Sequence, residues 1–211
     1  WHVIRELLST QNGKRILIDT KHMSIASRKE YYEFVGNHNY INPNHKIPII
    51  SSHACANGYK TMDSSIKEAD LIVKTRKSHF FKWSINISDE EAKIIHDSEG
   101  LIGLMVDKGN MGGIDFIKEI SEIKDIAKQR KAFAHLFLDN AFQLVKAVGK
   151  RSGWDMIAFG SDFDGTITHM DPYPTVASMP LFRQDLISFL EEKEYQKELW
   201  FDYTPEEIIE K

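Results

Sequence analysis

Four short apolar runs punctuate this chain, and helical stretches separate them, an alternation that restricts the possible folds more than any other feature of the sequence. The runs are Ile16-Leu17-Ile18, residues 47–50 (IPII), 101–106 (LIGLMV) and 155–159 (DMIAF). Each is short for a helix and is bounded by glycine or polar residues, so each reads as a buried strand. Pro48 implies that the second strand is short or starts late, because proline cannot donate to a ladder. Strands joined by helices imply parallel neighbours and right-handed crossovers, hence an α/β sheet or barrel.

The intervening stretches carry helix punctuation. Val3, Ile4, Leu7 and Leu8 repeat at helical spacing, and Asn12-Gly13 stops that helix. Ser24 is placed to cap a helix through Phe34, with Gly36 closing it. Residues 54–83 are irregular, with a short helix expected near 66–73 and an aromatic and basic patch at His79, Phe80, Phe81, Lys82 and Trp83. Ser88 with Glu91 forms a capping box, and Thr204-Pro205 with Glu207 forms a second one. Residues 114–148 are strongly helical with one or two breaks, and a further helix is expected around 181–192.

Composition bounds the partners. With 211 residues and 42% apolar content the chain suits one substantial domain. A net charge of -4 advertises no nucleic-acid partner, and residues 128–131 (KQRK) read as a solvated helix face. Cys55 is the one cysteine, so no intrachain disulfide is expected and a reducing compartment such as the cytoplasm is compatible. No apolar run approaches the roughly 20 residues of a membrane helix. Because the sequence opens at Trp1 within a helical pattern, a natural N-terminus upstream is expected and no targeting signal is legible.

Three of the four runs lead into side chains that bind metals or move protons: Asp19 and His22, then His53, then Asp162 and Asp164. Parallel neighbours place all these strand ends on one face, where open α/β sheets build their sites. Singly, His22 and His53 read as surface or hydrogen-bonded residues, and the acids as a turn, an acid/base pair or ligands. Together, imidazole nitrogen and carboxylate oxygen suit Zn²⁺, which lowers the pKa of a bound water to about 7. Other candidates have plainer readings. Cys55 reads as a small buried residue, His135 as packing or surface, His169 as a loop residue, and residues 110–113 (NMGG) as a turn without a phosphate-binding signature. The patch around His79 reads as an oligomer contact ahead of a lid or the hydrophobic side of the insertion.

The segments ILIDTKHMS at 16–24, IPIISSHACA at 47–56 and IAFGSDFDG at 157–165 resemble three signatures of the membrane (renal) dipeptidase family of zinc peptidases, metal-dependent barrels of the amidohydrolase type. The resemblance runs in order through nearly the whole chain. It implies that residues 1–211 are the C-terminal half of a (β/α)8 TIM barrel, strands five to eight with their helices, carrying an insertion near 61–81. It also implies that His22 and His53 ligate zinc of a binuclear pair and that Asp162 is the catalytic acid/base, Asp164 shaping the loop. The expected activity is hydrolysis of a dipeptide or related amide bond by metal-activated water.

Two departures accompany the resemblance. The family's earlier strands supply a His-x-Asp pair and a bridging Glu, one full set of ligands that has no counterpart here. The fragment alone is therefore expected to be inactive and to need the missing N-terminal half, as another chain or in a homo-oligomer, because half a barrel exposes two sheet edges. The family also carries an Arg that binds the substrate carboxylate, whereas the corresponding stretch is Lys82-Trp83-Ser84-Ile85-Asn86. Lys82 is a point charge without the bidentate fork, so the substrate-binding residues are left open.

Two rival functions use the same residues. Residues 162–166 (DFDGT) also resemble the first motif of haloacid-dehalogenase-type phosphatases, with Asp162 as nucleophile, but the sequence after it reads as helices without the further strand that chemistry needs. A catalytically inactive, barrel-derived binding or structural protein is the other.

Overall fold

The computed structural model describes residues 1–11, 13–67 and 78–211. Helix α1 (His2–Leu8) is followed by α2 (Ile25–Ile41), strand β1 (Ile50–Ala54) and α3 (Met62–Lys67). Then come α4 (Asp89–Asp97), β2 (Leu101–Leu104), α5 (Lys108–Met111), α6 (Ile114–Ser121) and α7 (Ile126–Val148). A 3-10 turn leads into β3 (Ile157–Phe159), and α8 (Met179–Lys193) and α9 (Pro205–Ile209) complete the order.

The caps form as their sequences dictate. The Ser24 hydroxyl accepts from the Ser27 amide, and both capping boxes, Ser88 with Glu91 and Thr204 with Glu207, close reciprocally. Gly36 does not end α2, which continues to Ile41. A glycine inside a helix costs only about 1 kcal/mol, which the buried face of Tyr31, Tyr32 and Val35 offsets. Residues 114–148 break once, and Asp125 caps α7 through the amides of Ala127 and Lys128. Most of the short helix expected near 66–73, and much of the insertion expected near 61–81, lies outside the described residues.

Among the described residues the sheet has three parallel strands in the order β1-β2-β3. Register runs from Ile50 opposite Leu101 to Ile102 opposite Ile157 and Leu104 opposite Phe159. This topology corrects the expectation of strands five to eight of a (β/α)8 TIM barrel. The segment Ile16-Leu17-Ile18 forms no strand; the chain beside it makes one isolated parallel bridge, Asp19 to Ile50. The physical reason lies in pairing. A barrel strand is held from both sides, whereas this segment has a neighbour on one side only and leaves Ile16 59% exposed. The helices outweigh the sheet in what results.

The third and fourth runs pair as expected over shorter spans. The strand predicted by 47–50 starts at Ile50, after Pro48, while Ile47 and Ile49 are buried just before it. The core lies between the sheet and α7, whose Phe133, Leu136, Leu138, Ala141, Phe142 and Leu144 are buried. Helix α7 packs against α4 and α8, and Arg130 fastens it to α8 through a bidentate pair with Asp185. Residues 128–131 are therefore more than a solvated face. A buried ion pair, Arg28 to Glu91 at 3.0 Å, joins α2 to α4.

The β1 register shifts between Ser51 and Ala54, and the Ser52 carbonyl lies close against the neighbouring chain. Glycines make room for it. A Cβ at Gly103 or at Gly160 would meet that oxygen at 2.0 or 2.1 Å. This irregularity comes immediately before His53.

Candidate functional site

The polar cluster stands where the chain leaves the sheet. Asp19 marks the end of the bridged segment, His53 is the fourth residue of β1, and Asp162 follows β3 across Gly160 and Ser161. His22 Nε2 stands 3.0 Å from His53 Nε2, and Asp162 Oδ2 lies 3.8 Å from the same His53 nitrogen. The predicted residues His22, His53 and Asp162 are thus gathered into one place. Asp164 is exposed and takes no part in this contact.

His22 and Asp162 both adopt left-handed backbone, with φ of 67° and 54°. That conformation is uncommon outside glycine and costs of order 1–3 kcal/mol where the surroundings impose it, a strain that concentrates at functional positions.

A relay behind His53 sets its protonation. Asp19 Oδ1 accepts from the Ser52 and Lys21 amides, each at 3.0 Å, and Oδ2 accepts the Ser52 hydroxyl at 2.5 Å. Ser52 has one hydroxyl proton, and the carboxylate takes it. The Ser52 oxygen, 2.7 Å from His53 Nδ1, must then accept the Nδ1 proton. The Nε2 of neutral His53 is left as a bare lone pair directed at His22. Burial and the nearby Lys21 ammonium push the His53 pKa below its ordinary value of 6.5, against the pull of Asp162, so the ring is neutral at pH 7.

Asp19 was among the sequence candidates as a carboxylate at a run end, but not as a group that orients an imidazole. Ser52, which links it to the ring, was not singled out, and its signal was its place directly before His53. Asp107, beyond β2, was not singled out either. It is buried, and its carboxylate accepts from the amides of Gly109 and Thr168 and from the Asn110 side chain, joining the loop after β2 to the loop after β3. Lys21 is 7% exposed, and among the described residues its side-chain amine has no hydrogen-bond partner.

The donor set suits zinc in kind: two imidazoles converge, and one presents the lone pair that a ligand needs, steadied by a hydrogen-bonded Nδ1. It is incomplete in number. Among the described residues no group of three or more His, Cys, Asp or Glu side chains is arranged to hold a metal ion.

The plainer candidates are accounted for. Cys55 is buried, and burial pushes its thiol up to about 12, which leaves no thiolate at pH 7. Lys82 lies over the Tyr59 ring, 4.3 Å from its centroid. His79 hydrogen-bonds Asp139 and meets Phe80 edge to face, and His135 stacks on Phe189. His79 and Phe80 are therefore built into the packing around α7, while Trp83 of the same patch is 39% exposed. His169 is exposed, and its backbone bridges to Asp107. No helix among the described residues is long and apolar enough to cross a membrane. No protein-family model matches the chain, and no curated protein matches it.

Proposed function

We propose that this chain supplies one ligand-bearing portion of a zinc-dependent hydrolase similar to the membrane dipeptidases, cleaving a dipeptide or a related amide bond. The observation that carries this reading is the convergence of His22 Nε2 and His53 Nε2 at 3.0 Å, with His53 held in the ligand tautomer by Ser52 and Asp19. His22 and His53 would hold the ion. Bound zinc would supply a water acidified to a pKa of about 7. Asp162, 3.8 Å from His53 Nε2, is the group at hand to accept a proton from an attacking nucleophile and return it to a leaving amine.

The ligands that the described residues lack would come from a second chain, another copy or a separate polypeptide. Apolar surface on β3 supports this: Phe159, three residues before Asp162, is 50% exposed. Zinc titration by calorimetry, followed by hydrolysis of a dipeptide panel, tests the reading. Zinc binding that His22→Ala and His53→Ala each abolish is expected; equal binding by these variants refutes it.

One observation favours a second reading, a binding protein without catalysis. The donor set is incomplete among the described residues. Absence of stoichiometric zinc together with no hydrolysis would select it.

A further inference from the structure

Lys21 is buried, burial lowers its pKa, and its amine has no hydrogen-bond partner among the described residues. The groups whose charge reaches it are Cys55, Arg28, Asp107 and Asp162, and none makes a bond to its ammonium. Cys55 is an uncharged thiol, with its pKa pushed up to about 12. Arg28 is itself a cation and is committed to Glu91 at 3.0 Å. Asp107 accepts from Gly109, Thr168 and Asn110. Asp162 lies 3.8 Å from His53 and is about one-third exposed. An amine head removed from water and left without an acceptor is costly whether or not it is protonated, so its place in the fold needs a reason beyond packing.

Lys21 is tied to the imidazole pair by the backbone. It immediately precedes His22, and its amide donates to Asp19 Oδ1, on the same carboxylate that orients Ser52 and so His53. The charge of Lys21 reaches His53, and that of Asp162 reaches Lys21, so a ligand seated on the two imidazoles comes within the influence of an amine that has no acceptor among the described residues. The four-carbon stem lets the ammonium rise to meet it.

We propose that Lys21 is the specificity-determining residue of this site, and that it receives an anionic oxygen, from a carboxylate or a phosphate, of a ligand seated against His22 and His53. The location of the ligand rests on the hydrolase reading; the need of Lys21 for an acceptor does not. In a peptide substrate the oxygen would belong to a carboxylate of the substrate or of its product.

The test uses the full chain after chelator treatment, titrated calorimetrically with acetate and, separately, with inorganic phosphate. The expected result is that at least one anion binds and that Lys21→Met weakens it about tenfold or more, as loss of a charge-assisted bond should. Lys21→Arg should retain most of the binding, and Lys21→Met should melt at a higher temperature because an unpaired buried amine is gone. Acetate preference identifies a carboxylate ligand and phosphate preference a phosphorylated one. If Lys21→Met does not fold, Lys21→Gln replaces it, keeping a polar side chain without the charge. Failure of both anions to bind the unaltered chain, or equal binding by the neutral variant, overturns the proposal. No zinc or peptide is present, so a failed zinc titration would refute the hydrolase reading while leaving this result standing.

Discussion

His22 and His53 present their Nε2 atoms to each other at 3.0 Å although 31 residues separate them in the chain. Helix α2 fills the interval, and the parallel bridge from Asp19 to Ile50 brings its two ends together. The contact sits on left-handed backbone at His22 and on a register shift in β1 beside His53. Two local irregularities are thus spent on aiming two imidazoles at one point.

Removing the relay should weaken metal binding without touching a ligand. Ser52→Ala deletes the acceptor for His53 Nδ1, so the ring can flip or change tautomer. Zinc affinity should fall about 10- to 100-fold, the usual cost of losing an orienting partner, as measured by calorimetry. Unchanged affinity would show that the relay orients nothing.

Asp162→Asn should separate proton handling from metal binding. The carboxylate lies 3.8 Å from His53 Nε2, and the amide keeps the shape while losing the basicity. In an active assembly the zinc content should persist while turnover falls about 10²- to 10⁴-fold. Parallel loss of zinc would make Asp162 a ligand instead.

The Arg28–Glu91 pair offers a stability test away from the site. Both side chains are buried, and Glu91 also accepts from Ser88 and Tyr32. Burial pushes the Glu91 pKa up while Arg28 pulls it down, so the carboxylate depends on its partner. Arg28→Met should destabilise the fold by about 3–5 kcal/mol, since it strands a buried charge. Arg28→Met combined with Glu91→Leu should recover much of that loss in denaturant unfolding, and failure to recover would place the cost in packing alone.

His135 should make the fold sensitive to mild acid. Burial, the largest cause, and the neighbouring His79 lower its pKa below 6.5, whereas Asp139 raises it. A depressed pKa means that the unfolded chain binds the proton more readily, so stability is full above pH 6.5 and falls as the pH drops through the folded value. His135→Gln should flatten the stability profile between pH 6.5 and 5, measured by thermal unfolding, relative to the unaltered chain. A profile of unchanged slope would exclude His135 as the source.

Elements with a local cause were legible. Ser24, Ser88 with Glu91, and Thr204 with Glu207 announce helix starts because the capping groups lie within three residues of the amides they satisfy. Pro48 correctly moved the start of β1 to Ile50. The Ile16-Leu17-Ile18 run looked equally like a strand, yet a strand exists only where a neighbour pairs with it, and this run has no ladder of its own. Extrapolating from four apolar runs to four barrel strands failed at that step.

The sequence by itself determined which residues could act: two histidines and an aspartate placed beyond apolar runs, together with the caps that start the helices. The tertiary structure alone decided that His22 meets His53, that Asp19 and Ser52 set the tautomer, and that Lys21 lies buried without an acceptor among the described residues. Caps and apolar runs follow from interactions within a few residues. Convergence, tautomer and desolvation depend on which groups the folded chain brings within about 4 Å of each other, and no local pattern encodes that.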